Sequence, residues 1–158
     1  MAEWFDKYPE KAQIENTETK RSIIMIGLYL NFNGNCAEAL ELYAKALNVK
    51  ASGIQKYGDM PPNPAFPVAE KDKNLILHST MTIDGMEIMA SDSSRGCISG
   101  SNMYVTVTSK DAEYVKHAWE LLKQGGHVHM ELAPSFFALL HGSLQDKFGI
   151  NWMFSVMR

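Results

Sequence analysis

The chain carries five histidines, and several stand in settings whose spacing could do chemistry. His127, His129 and Glu131 alternate, so on a strand their side chains share one face. Imidazole and carboxylate side by side would make a divalent-metal donor set. The same row also reads as the solvated side of an amphipathic strand, with Val128, Met130 and Leu132 facing in. His78 lies in the apolar run LILHSTMTI, with Thr80 and Thr82 on its face. Imidazole titrates near neutrality, so His78 suits a proton donor or acceptor as well as a hydrogen-bonded core position. Tyr29 and Asn31 alternate on an earlier strand and offer a hydroxyl and an amide, partners for His78 in acid–base and oxyanion roles. His141 stands before Gly142 and, with Phe136, Phe137 and Trp152, would close a substrate-binding pocket; these aromatics equally suit a core. Cys36 opens a helix, where the dipole lowers a thiol's pKa, and it is read either as a nucleophile or as a packed residue. No Ser-His-Asp order, phosphate loop or clustered basic patch accompanies these groups.

The elements that must position them come as a repeated unit. Tyr29–Leu47, YLNFNGNCAEALELYAKAL, echoes Tyr104–Leu122, YVTVTSKDAEYVKHAWELL, at a spacing of 75. In the first copy the β-branched run IIMIGLYLNF predicts a strand. Asn33-Gly34-Asn35 breaks it, since Gly and Asn tolerate positive φ. Asn35, with Glu38 three residues on, has the spacing of a capping box. Ala39, Leu40, Tyr43, Ala46 and Leu47 then give the helix one apolar face, matched in the second copy by Val115, Ala118, Trp119 and Leu122 before Gly125-Gly126.

Further strands are predicted over Val49–Tyr57, Leu75–Ile83 and Met86–Ala90, with a hairpin at Asp84-Gly85. In the second half strands are predicted over 102–108, 127–132, 137–143 and 150–157, with a helix over 111–124 and a final turn at Asp146–Gly149. The proline-rich loop of the first half has no counterpart in the second, and a loop of that kind tends to be functional or disordered. The expectation is an α+β chain of two βαβββ modules with curved, mostly antiparallel sheets. Residues 1–21 form an N-terminal extension, module one covers 22–90, the linker 91–101 and module two 102–158.

Composition narrows the function. A formal charge of −3 gives no electrostatic case for nucleic acid or an anionic membrane. Two cysteines make no disulfide framework and point to the cytoplasm. No apolar run approaches the ~20 residues of a membrane helix, and the N-terminus, MAEWFDKYPEK, does not read as a signal peptide.

The segments FNGNCAEALELYAKAL (32–47), YGDMP (57–61), HSTMTIDGMEIMASD (78–92) and FFALLHGSLQDKFGINWMFSV (136–156) together resemble the PhnB-like, demethylubiquinone methyltransferase-like branch of the vicinal oxygen chelate superfamily. That superfamily includes glyoxalases, bleomycin-resistance proteins and extradiol dioxygenases. The resemblance implies paired βαβββ modules enclosing a cup. It implies a divalent metal held by His and Glu from the first and last strands of each module. Those positions fall here on Leu28 or Tyr29, Met89, Asn102 and Met153, none of them His or Glu. Thioethers and amides are poor ligands for such metals, so the expectation is no metal and no cofactor. No glycine-rich turn for a nucleotide-type cofactor is seen either.

Three functions follow. One is a small-molecule-binding protein with its ligand in a cup between modules. A second is a metal-independent enzyme using His78, Tyr29 and Asn31. The alternative is a metal-dependent glyoxalase- or dioxygenase-type enzyme with non-standard ligands such as His127, His129 and Glu131. A homodimer is the expected assembly, because helices on one face of each sheet leave the other uncovered. The segment Ile23–Ile26, loop 59–69 and the arm Trp4–Tyr8 are candidate contacts.

Overall fold

The computed structural model describes residues 27–158. The extension 1–21, the arm Trp4–Tyr8 and the segment Ile23–Ile26 lie outside the described residues. The chain forms β1 (Leu28–Phe32), α1 (Cys36–Ala46), β2 (Ala51–Lys56), β3 (Ile76–Ile83) and β4 (Met86–Asp92). It then repeats the order with β5 (Val105–Ser109), α2 (Ala112–Leu122), β6 (His127–Ala133), β7 (Leu140–Gln145) and β8 (Asn151–Val156). Two four-stranded sheets result, ordered β1-β4-β3-β2 and β5-β8-β7-β6. In each, the first strand runs parallel to the last and the other pairings are antiparallel. The fold is α+β, two βαβββ modules.

Alternation decides which side of each sheet is covered. Leu30 and Phe32 of β1 are buried while Tyr29 and Asn31, which alternate with them, are exposed. Both helices use the apolar stripes expected of them: Ala39, Leu40, Tyr43 and Ala46 in α1, and Val115, Ala118, Trp119 and Leu122 in α2, are buried in one shared core. The modules meet on this helix side. Tyr114 Oη donates to the Leu47 carbonyl at 3.0 Å, and His117 Nε2 lies 3.1 Å from the Lys45 carbonyl. Side chains of module two thereby satisfy carbonyls at the end of α1 that have no partner inside the helix. The opposite face of each sheet stays open.

Local chemistry differs from the expectation in several places. Asn35 makes no side-chain cap. The Asp92 carboxylate, buried at the end of β4, accepts from the Cys36 amide at 2.9 Å and the Ile76 amide at 2.8 Å. One distant carboxylate thus starts both α1 and β3. In module two the cap is local, with Asp111 Oδ1 accepting from Glu113 and Tyr114 amides at 3.0 and 3.1 Å. β4 runs on through Ser91 and Asp92, so the linker begins later than expected.

The hairpin at Asp84-Gly85 forms as expected, both residues having positive φ (46° and 82°), which matches a two-residue turn. β7 starts at Leu140 rather than 137, leaving Phe136 and Phe137 in the preceding loop. β6 is bulged. Val128 opposes Leu144 but Met130 opposes Ser143, so the bulge turns Met130 to the open side, where it is 52% exposed. The expectation that Met130 faces inward is therefore corrected. Gly142 permits the bulge: a Cβ there would lie 2.9 Å from Leu132 backbone atoms. No helix among the described residues is long and apolar enough to cross a membrane.

Candidate functional site

The open face of the first sheet is built by register. Tyr29 of β1 pairs with Met89 of β4, and Met89 with Thr80 of β3. His78, two residues before Thr80, therefore points to the same side. The Tyr29 and His78 rings come to 6.3 Å between centroids, tilted by 40°. His78 Nε2 lies 3.5 Å from Thr80 Oγ1. Asn31 is drawn aside, its Oδ1 accepting from Ser91 Oγ at 3.3 Å. Tyr29, Asn31 and His78, foreseen as one group, do share one face.

The second sheet repeats this layout. Thr106 pairs with Met153, and Met153 with Ser143. His141, two residues before Ser143, thus occupies in module two the position that His78 holds in module one. His141 Nδ1 lies 3.0 Å from Ser155 Oγ, its cross-strand neighbour. The Phe137 ring is 4.8 Å from the His141 ring, and Phe136 is 5.0 Å from Phe137. His141, Phe136 and Phe137 therefore form a half-open cluster. Trp152 does not join it. It points to the opposite side of β8, fully buried, with Nε1 donating to Asp146 Oδ2 at 2.8 Å. Period-two alternation puts it there: Met153 and Ser155 face out, so Trp152 and Phe154 face in. Asp146 is a satisfied buried carboxylate, also accepting from Tyr43 Oη at 2.6 Å and the Phe148 and Ile150 amides at 2.9 and 3.0 Å.

The positions compared with the superfamily's metal ligands are spread over both modules. Met89 sits beside Tyr29, and Met153 beside Thr106; Asn102 precedes β5. The side chains at those positions, Leu28 or Tyr29, Met89, Asn102 and Met153, do not fit a divalent metal preferring imidazole and carboxylate. On β6 the His127 and His129 rings are 5.0 Å apart and exposed. Among the described residues, no group of three His, Cys, Asp or Glu side chains is placed to hold a metal.

Cys36 is not an activated thiol. It is fully buried, and burial, then the neighbouring Asp92 charge, push its pKa up to about 12. Desolvation disfavours the thiolate more than the helix start favours it. Tyr43, buried against the Asp146 carboxylate, is likewise held well above the ordinary phenol range.

Two clefts among the described residues exceed 400 Å³. One, about 480 Å³, is formed within the proline-rich loop by Tyr57, Met60, Pro64, Phe66, Val68 and neighbours, and contacts none of His78, Tyr29 or His141. The other, about 410 Å³, lies in the seam between the modules, between the edge of β1 and the linker. Sequence reasoning missed it, because it depends on where the linker lies.

Comparison with known proteins matches this architecture. The family described as 3-demethylubiquinone-9 3-methyltransferase matches residues 24–155. Protein YjdN of Escherichia coli K12 is 30% identical over 138 residues, covering 82% of this chain and 93% of that protein. The crystal structure of PA1353 from Pseudomonas aeruginosa is similar with a TM-score of 0.74 and 28% identity, covering 84% of this chain and 97% of that one. A Bacillus cereus PhnB protein, described as a putative 3-demethylubiquinone-9 3-methyltransferase, is similar with a TM-score of 0.68 and 25% identity, covering 84% and 98%.

Proposed function

The chain belongs to the family described as 3-demethylubiquinone-9 3-methyltransferase, and on that premise we propose that it is a PhnB-like small-molecule-binding protein of the vicinal oxygen chelate superfamily. The observation that carries this reading is the repeated open face. Each module sets one histidine, His78 or His141, on the third strand of its sheet, beside a hydroxyl and near a methionine of the last strand. Imidazole and hydroxyl groups read ligand oxygens by hydrogen bonds, and the thioethers of Met89 and Met153 supply adaptable apolar contact. Where the ligand carries an exchangeable proton, His78 is the group to move it, with Tyr29 as its neighbour on the face. His141 and the Phe136–Phe137 pair form the substrate-binding side.

This reading makes the working unit a homodimer. Phe136 is 91% exposed, and Phe137, Leu139 and Met130 are about half exposed around the open side of the second sheet. A second copy laid over that side would cover them and close a cup.

Native mass spectrometry of gently purified protein tests the binding. The expected result is a host-derived small molecule retained by the wild type and lost from the His78→Ala/His141→Ala double variant. Equal retention by both would overturn the site. For assembly, sedimentation equilibrium is expected to give about twice the 17.7 kDa chain mass; a species of 17.7 kDa unchanged on concentration would overturn the dimer.

A further inference from the structure

We infer that the seam between the modules is a preformed binding site for an uncharged, partly aromatic small molecule. It is distinct from the open faces, although Tyr29 and Asn31 of β1 border both.

The linker forming one wall is held at both ends by asparagines, one from each module. Asn33, at the end of β1, accepts from the Cys97 amide at 2.6 Å and donates through Nδ2 to the Cys97 carbonyl at 3.0 Å. Asn151, the first residue of β8, donates through Nδ2 to the Gly100 and Met103 carbonyls at 2.7 and 3.1 Å. The Cys97 thiol adds a contact to the Asn31 carbonyl at 3.2 Å. At Gly149 any Cβ would collide with Ser99, so the linker lies directly on the β7–β8 turn. The wall is thus ordered before any ligand arrives, which removes part of the entropic cost of binding.

The cleft it bounds, about 410 Å³, is within the range of small-molecule sites and lies at a module boundary, where such sites concentrate. Its lining is the second argument. Charged residues make up 21% of the chain, yet among the described residues none lines this cleft. Burying an ionised ligand here would leave its charge without a partner among these residues, which is unfavourable. The site therefore selects against ions. The groups it does offer are the rings of Tyr29 and Tyr104, the amide of Asn102 and the side chains of Met103 and Ile150. Among the described residues neither Tyr29 nor Tyr104 has a hydrogen-bond partner for its hydroxyl, so both can serve a ligand oxygen or nitrogen. Met103 and Ile98 stand 70% and 99% exposed at the cleft, an apolar surface that a ligand would cover.

N-phenyl-1-naphthylamine, a neutral aromatic fluorophore, is the probe, with its anionic counterpart 8-anilinonaphthalene-1-sulfonate as control. Saturable binding of the neutral probe at least tenfold tighter than the anion is expected. The Met103→Asp/Tyr104→Ala variant is expected to weaken it tenfold or more, and the His78→Ala/His141→Ala variant to leave it unchanged. Cys97 gives a second measurement on unmutated protein. With Cys36 buried, Cys97 is the reactive thiol, and saturating probe should slow its alkylation by iodoacetamide at least tenfold. No saturable binding, equal affinity for the anion, or an unprotected Cys97 would overturn the site. Loss of probe only in the histidine variant would move the ligand to the open faces, overturning the seam while supporting the function proposed above.

Discussion

The two modules repeat one architecture but start their helices by different means. Module two caps α2 with Asp111, two and three residues from the amides it accepts. Module one leaves Asn35 uncapping and brings in Asp92, which lies 56 residues from Cys36 in sequence. The same carboxylate fixes the first residue of β3, and the hydroxyl of Tyr57 donates to its backbone carbonyl at 3.1 Å. A local cap stabilises one helix. A cap borrowed from another strand joins helix, strand and loop into one unit, so its loss spreads further. The first helical residues follow the same division: module one buries an ionisable Cys36 beside Asp92, where module two has Ala112.

This contrast can be broken at its strong end with Asp92→Ala. Two backbone amides, one opening α1 and one opening β3, would lose a buried charged acceptor. A bond to a charged group contributes about 1.5–3 kcal/mol, and a buried donor left unmade costs about 1–3 kcal/mol more. A destabilisation of about 3 kcal/mol or more is expected in urea unfolding, a large share of the roughly 5–15 kcal/mol that keeps an ordinary domain folded. A loss below about 1 kcal/mol would show that Asp92 is no more than a local cap.

The buried thiol sharpens the comparison through pH. In the unfolded chain Cys36 ionises near its ordinary value of 9.0, whereas in the folded protein it holds its proton to about 12. Between these values the unfolded state binds fewer protons, so stability falls as pH rises. The slope is at most about 1.4 kcal/mol per pH unit for one proton. Tyr43, also raised, adds to the fall above its ordinary value of 10.0. Cys36→Ala should flatten the slope between pH 9 and 10, where Tyr43 has little effect. An unchanged slope would remove Cys36 from the account.

At the weak end stands Asp111→Ala. An exposed N-cap contributes about 1 kcal/mol, and the expected shift in thermal unfolding is correspondingly small, with the open faces and seam undisturbed. A cost equal to that of Asp92→Ala would erase the distinction between the modules.

The open faces add a subtler contrast. His78 and His141 hold equivalent positions, but His141 is bonded to Ser155 while Ser91 in module one turns to Asn31. Tyr29 stands beside the first histidine, whereas Thr106 takes the corresponding position in the second module. The aromatic partner of His141 comes instead from the loop, as Phe137. Equal scaffolds thus carry unequal walls.

Much of this was determined by the sequence alone, wherever the interaction is local or periodic. The 3.6-residue stripes of α1 and α2, the Asp84-Gly85 turn and the sharing of a face by Tyr29 and Asn31 follow from spacing within a single element. Tertiary structure decided whatever depends on which strand lies beside which. Pairing β7 with β8 put His141 against Ser155 and turned Trp152 into the core, away from Phe136 and Phe137. Bulges in β6 reversed the facing of Met130, and the buried Asp92 displaced Asn35 as the cap. The seam cleft needed most of all, since Asn33 and Asn151 grip the linker across 64 and 51 residues of chain. Bonds over such separations leave no periodic trace in the sequence, because only the closed fold brings their partners together.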